Sequence, residues 1–157
     1  PEAGTFQWLL HALEEMAVDE AAQTVTIEHA GAKMHVKLFS TLDEPLRLSQ
    51  TDVFEPPVDA GQPPEYEDQK PDQYHFTAET PIEADRVRFV AVIAAGKASA
   101  MPDVNVEVKE GRVLATLKDE TGTGTVSVPL AVKPETPGTT VWQGTHGEHS
   151  QVGTPVA

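Results

Sequence analysis

Between Thr24 and Phe39 the chain reads Thr-Val-Thr-Ile-Glu-His-Ala-Gly-Ala-Lys-Met-His-Val-Lys-Leu-Phe. Folded as a hairpin about Ala30-Gly31, it pairs His29 with Ala32, Ile27 with Met34 and Val25 with Val36. The side-chain period of two then gathers one apolar stripe on a single face. The other face pairs Glu28 with Lys33, Thr26 with His35 and Thr24 with Lys37, a polar set whose Glu-Lys pair is a favourable cross-strand neighbour. Gly31 supplies the positive φ that tight primed turns demand. Turn, pattern and charge agree on one register, as expected of a real element.

Similar alternation recurs along the chain. Val104, Val106 and Val108 face Leu117, Ala115 and Val113 across Glu110-Gly111, with Lys109 opposite Arg112 at the neck. Asp72–Ala78 alternates, Leu46–Thr51 makes a short strand, and Thr125–Val132 and Thr139–Gln143 supply two more. Val87–Ala95 is nearly continuously apolar and reads as a strand covered on both sides, the centre of the sandwich. Val18–Ala22 is expected to turn into the central hairpin, and Thr121-Gly122-Thr123-Gly124 to form a turn. Thr5–Met16 supports two readings. Phe6, Leu9, Leu10, Leu13 and Met16 have helical spacing, whereas Phe6, Trp8 and Leu10 alternate as in a strand. No capping box precedes the run, and apolar residues fill both faces.

Proline bounds the regular structure. Glu55–Pro71 carries Pro56-Pro57, Pro63-Pro64 and the acidic run Glu65-Tyr66-Glu67-Asp68, so no regular ladder can cross it. A long surface loop is expected there. The sum is about nine strands in an all-β, antiparallel two-sheet β-sandwich, one domain over residues 1–144 with a flexible tail at 145–157.

The 157 residues suffice for one core without staples, and the absence of Cys excludes disulfides, thiolate metal sites and a Cys nucleophile. With 25 acidic against 11 basic side chains the formal charge is −14, which disfavours nucleic acid and anionic membrane as partners. No stretch has the length of a membrane span. The start, Pro1-Glu-Ala-Gly, has neither an initiator Met nor a signal-peptide pattern, so a mature product or a piece of a longer chain is expected.

Histidine is the one residue type with site potential on several elements: His11, His29, His35, His75, His146 and His149. A lone strand His is commonly a packed or surface residue. His146-Gly-Glu-His149 lacks the one-turn His spacing of the metalloprotease helix. No phosphate loop, nucleophile elbow or distinctive carboxylate pair stands out. The residues alone point to no active site.

Five stretches together resemble a known family. They are Phe6-Gln-Trp-Leu-Leu-His11, the Thr24–Phe39 hairpin, Ser49-Gln-Thr-Asp-Val-Phe-Glu-Pro-Pro57, Gln73-Tyr-His-Phe-Thr-Ala-Glu79 and Arg88-Phe-Val-Ala-Val-Ile93. Their order and spacing, from about Thr5 to Leu117, resemble the C-terminal β region of heparinase II/III-like polysaccharide lyases. The resemblance implies that Thr5–Met16 begins as a strand ending near Ala12. It also implies a parent enzyme that cleaves uronic-acid polysaccharides by β-elimination, with Tyr and His as base and acid between an α-helical toroid and the sandwich. The toroid is not in this sequence, so the chain is expected to be non-catalytic and to buttress it. Members with a structural zinc carry a ligand on a strand similar to Trp8-Leu-Leu-His11, which makes His11 the one metal candidate, with its partner ligands outside this chain. The same likeness implies a polysaccharide partner and a periplasmic or secreted location. The alternative is an autonomous carbohydrate-binding or cell-surface sandwich, which calls for an exposed Trp or Tyr platform.

Overall fold

Alternating apolar residues become antiparallel strands in the computed structural model, which describes residues 2–53, 73–131, 137–144 and 147–152. In chain order these are β1 (Gln7–Ala12), β2 (Ala17–Asp19), β3 (Thr24–His29), β4 (Ala32–Ser40), β5 (Arg47–Thr51) and β6 (Tyr74–Glu79). Then come β7 (Phe89–Lys97), β8 (Asp103–Lys109), β9 (Arg112–Asp119), β10 (Gly122–Pro129), β11 (Thr139–Gly144) and β12 (Gly147–Val152). A single 3-10 turn, Ala98–Ala100, separates β7 from β8. The expected loop at Glu55–Pro71 lies outside the described residues.

Both hairpin registers read from the sequence are present. Val25 faces Val36 and Glu28 faces Lys33, and Val104, Val106 and Val108 face Leu117, Ala115 and Val113. Each turn has positive φ at both central residues, Ala30 at 48° with Gly31 at 79° and Glu110 at 51° with Gly111 at 69°. That is the primed geometry whose twist matches the flanking strands. Thr5–Met16 takes the strand option, since β1 ends at Ala12 and pairs along its length with β6.

The fold is all-β, antiparallel and sandwich-like, with three sheets where two were expected, ordered β1-β6-β5, β2-β3-β4-β7 and β12-β11-β10-β9-β8. The first sheet turns Trp8, Leu10, Phe76, Ala78 and Leu48 onto the apolar stripe of β3 and β4, where Val25, Val36 and Leu38 are buried. Phe76 is fully buried at their centre. Burying such a side chain is worth about 1.5–3 kcal/mol, so this interface is the main store of stability. Two glutamines lock its rim. Gln50 Nε2 donates to Met16 O at 2.7 Å while its Oε1 accepts from Met16 N at 3.0 Å. Gln23 treats Leu46 in the same way, donating to its carbonyl at 2.9 Å and accepting from its amide at 2.9 Å. Each amide side chain thus acts as a one-residue β-bridge where no strand partner is available.

The third sheet follows from β7. Its register against β4 places Ala91 beside Leu38 on the first face and Val90 beside Phe39 and Ala94 beside His35 on the second. Val90 and Ala94 are buried, as are Val113 and Ala115 of the five-stranded sheet. An apolar run on both faces of one strand needs two covers, and β8–β9 supply the second. The middle layer is therefore the four-stranded sheet, with β7 at its hydrogen-bonding edge.

Three local boundaries differ from expectation, each for a stated reason. Within Val18–Ala22, Val18 pairs with Val25 in β2, and the turn moves to Glu20–Gln23, where Asp19 Oδ1 accepts from Ala22 N at 2.9 Å. Within Thr121–Gly124, β10 already begins at Gly122, because Asp119 Oδ1 accepts from Thr121 N at 2.7 Å and closes the turn earlier. The expected tail at 145–157 contains β12, in which Val152 pairs with Thr139 and Gly147 with Gly144. Backbone pairing with the open edge of β11 requires no apolar side chains, so the composition of the tail did not reveal it.

Candidate functional site: a histidine pair and a basic cavity

β1 and β6 pair in a register that sets His11 opposite His75 on the outer face of the first sheet, with Thr51 of β5 next across. The two imidazoles lie with ring centroids 4.2 Å apart, tilted by 49°. His11 is exposed and His75 half-buried. The sequence named both histidines but could not join them, because their strands come from distant parts of the chain. Two imidazoles are half of a closed tetrahedral zinc set. Among the described residues no group of three or more His, Asp or Glu side chains is arranged to hold a metal ion. The described donors therefore fall short of a complete zinc site, and the expectation of a metal at His11 rests on the resemblance alone.

The other histidines separate by environment. His29 Nδ1 lies 3.0 Å from Glu14 Oε1, with both side chains more than half exposed, a contact of small energetic weight. His146 lies outside the described residues, while the backbone of His149 pairs with Trp142 in β12. His35 is different. Strand alternation places Lys33, His35 and Lys37 on the second face of β4, beneath the third sheet. His35 is half-buried there, and its Nδ1 lies 2.9 Å from Thr26 Oγ1. Lys33 is held by Glu28, Nζ to Oε1 at 2.6 Å. Lys37 Nζ lies 5.9 Å from the centre of the Phe39 ring and forms no ion pair among the described residues.

These side chains border a cavity of about 150 Å³ between the middle and third sheets. Thr24, His35 and Lys37 form one wall, Asn105 contributes a further polar group, and Val92 and Val104 are apolar walls. A neighbouring hollow shares His35 and is lined also by Lys33 and Asp103. Sequence reading identified this face of the hairpin only as polar. The signal that could have gone further was β7, whose two apolar faces require that the adjoining face of β4 be covered.

A wider, open hollow of about 440 Å³ lies at the end of the third sheet, bordered by Asp119, Thr121 and Gly144. The Asp119 carboxylate is held below the ordinary carboxylate range, first by the Thr121 hydroxyl and then by the Thr121 and Gly122 amides. All three bonds are local and shape the turn.

Aromatic side chains are committed to packing. Trp8 meets Phe76 edge-on, with ring centroids 6.2 Å apart at 73°. Trp142 lies over Gly124, where an added Cβ would come within 2.5 Å of the indole. Trp8, Tyr74 and Trp142 are each half-buried, and Tyr66 lies outside the described residues. No described Trp or Tyr stands out as the exposed platform that an autonomous sugar-binding face needs. No helix among the described residues is long and apolar enough to cross a membrane.

Compared with known proteins, the sequence matches no protein-family model and no curated protein.

Proposed function

We propose that this chain is a non-catalytic C-terminal β-sandwich region of a heparinase II/III-like polysaccharide lyase, where it supports a catalytic α-helical toroid. The parent enzyme would cleave uronic-acid polysaccharides by β-elimination in the periplasm or outside the cell. The observation that carries this reading is where the resembling stretches fall. Phe6–His11 lies on β1, the start of Ser49–Pro57 on β5, Gln73–Glu79 on β6 and Arg88–Ile93 on β7. The first three of these strands make one sheet, ordered β1-β6-β5, and β7 belongs to the layer beneath it. Stretches scattered over the sequence thus share one two-layer unit, as expected if they came from one ancestral module. The charge of −14 suits a body that leaves anionic substrate to another domain.

The test has two arms. The isolated chain is expected to release no unsaturated uronate product from alginate, heparan-type or ulvan-type polymers, and appreciable turnover would sink the proposal. The polypeptide purified from its native host is expected to be several times heavier than 16.9 kDa. A natural product of this mass would leave no room for a toroid.

A further inference from the structure

The cavity between the middle and third sheets has a chemistry that packing alone does not explain. Around it the two layers meet through valines and alanines, of which Val90, Ala94, Val113 and Ala115 are buried. Yet β4 extends His35 and Lys37 into this interface. Lys37 is half-buried, and a lysine that gives up exposure commonly has a carboxylate neighbour. In a chain with more than twice as many acidic as basic side chains, such a partner would be easy to find. Lys33, two alternations away, has Glu28 at 2.6 Å, whereas Lys37 has no ion pair among the described residues. The nearby carboxylate is Asp103, which lines the adjoining hollow beside Lys33 and His35 and not the cavity itself.

We infer that this cavity is a binding site for a compact oxyanion, a carboxylate or sulfate group, held by Lys37 and His35. Lys37 supplies the charge. Contact of His35 Nδ1 with Thr26 Oγ1 leaves Nε2 as the second ring nitrogen for the ligand. Thr24 and Asn105 offer a hydroxyl and an amide on the walls, which suits an oxyanion with several acceptor sites. At about 150 Å³ the space holds an anion with a small body and excludes a polymer chain. Val92 and Val104 lower the local dielectric and strengthen the charge-assisted contacts. The site is independent of the lyase proposal, because it uses the second face of β4 and not the sheet in which β1, β5 and β6 lie.

The test is a titration of the chain with sodium acetate, sodium sulfate and sodium glucuronate at constant ionic strength. Binding is followed through the His35 ring and the Thr24, Val92 and Asn105 amides by heteronuclear NMR. Saturable shifts confined to these groups are expected. Lys37→Gln, which keeps the long side-chain stem, should weaken binding by about tenfold to a hundredfold, the worth of one charge-assisted hydrogen bond. Arg47→Gln, on β5 of the first sheet and away from the cavity, should leave binding unchanged. A linear, unsaturated response of the unaltered chain to all three salts would overturn the inference even if Lys37→Gln did not fold. Equal affinity in Lys37→Gln would do the same. A longer oligouronate that competes as well as glucuronate would show an open groove in place of the enclosed site and would equally overturn it.

Discussion

The two interfaces of the middle sheet are built differently. On its first face, Val25, Val36 and Leu38 meet Phe76 and Ala78, all at 1% exposure or less, and two glutamines lock the rim. On its second face, Val90 and Ala94 meet a sheet whose Val113 and Ala115 are buried, but Val108 is half exposed and a cavity remains around His35 and Lys37. Both faces belong to the same strands and differ only in which alternate residues they present. The face that is apolar on β3, β4 and β7 together buries Val25, Val36 and Leu38 fully, with only Ile93 at the β7 edge left half exposed. A face that is apolar on β7 alone is covered with gaps, and gaps with polar walls are where ligands can sit.

The contrast predicts a ranking of stabilities, read from chemical denaturation. Phe76→Ala should lower unfolding stability the most, by about 3–5 kcal/mol, since a large cavity opens in a tightly packed layer. If it costs no more than a change on the second face, the proposed asymmetry is wrong. Val113→Ala, which removes two carbons from the looser interface, should cost about 2 kcal/mol. Gln50→Ala strands the amide and carbonyl of Met16 and should cost about 1–3 kcal/mol, with faster hydrogen exchange at the Met16 amide as its local signature. Ala30→Gly should act in the opposite direction and stabilise by about 0.5–1 kcal/mol. It relieves a left-handed alanine at φ 48°, offset in part by glycine's greater chain entropy. The smallest effect belongs to Asp119→Asn. Because the folded-state pKa of Asp119 is lowered, its contribution is present above the ordinary carboxylate range and fades as pH falls through the lowered value. The variant and the unaltered chain should therefore differ near neutrality and converge in acid, as melting temperatures across pH would show.

Much of the fold was legible because hairpins are local. The pairing of Glu28 with Lys33 and of Lys109 with Arg112 follows from turn residues and alternation within a few positions. The strand fate of Thr5–Met16 was not legible from periodicity, since the partner that decides it, β6, lies far along the chain. β2 was missed because three residues carry too little pattern, and β12 because its pairing is a matter of backbone and not of side chains. The candidate site was half visible. His11 and His75 were both named, but their contact arises only from the β1–β6 register, and Lys37 was legible only as part of a polar face, because the third sheet beside it comes from a distant part of the chain.

That same β1–β6 register sets an order of assembly. The pairing of Gln7 with Glu79 joins residues 72 positions apart, whereas the β3–β4 and β8–β9 hairpins close over two-residue turns. Hairpins form in about 1–10 μs, while contacts of long sequence separation wait for loop closure. During synthesis, at about 5–20 residues per second, β1 must remain without its neighbour for several seconds until β6 leaves the ribosome. Its Trp8, Leu9 and Leu10 are then an exposed apolar edge, and the nascent chain is most prone to mispairing in that interval.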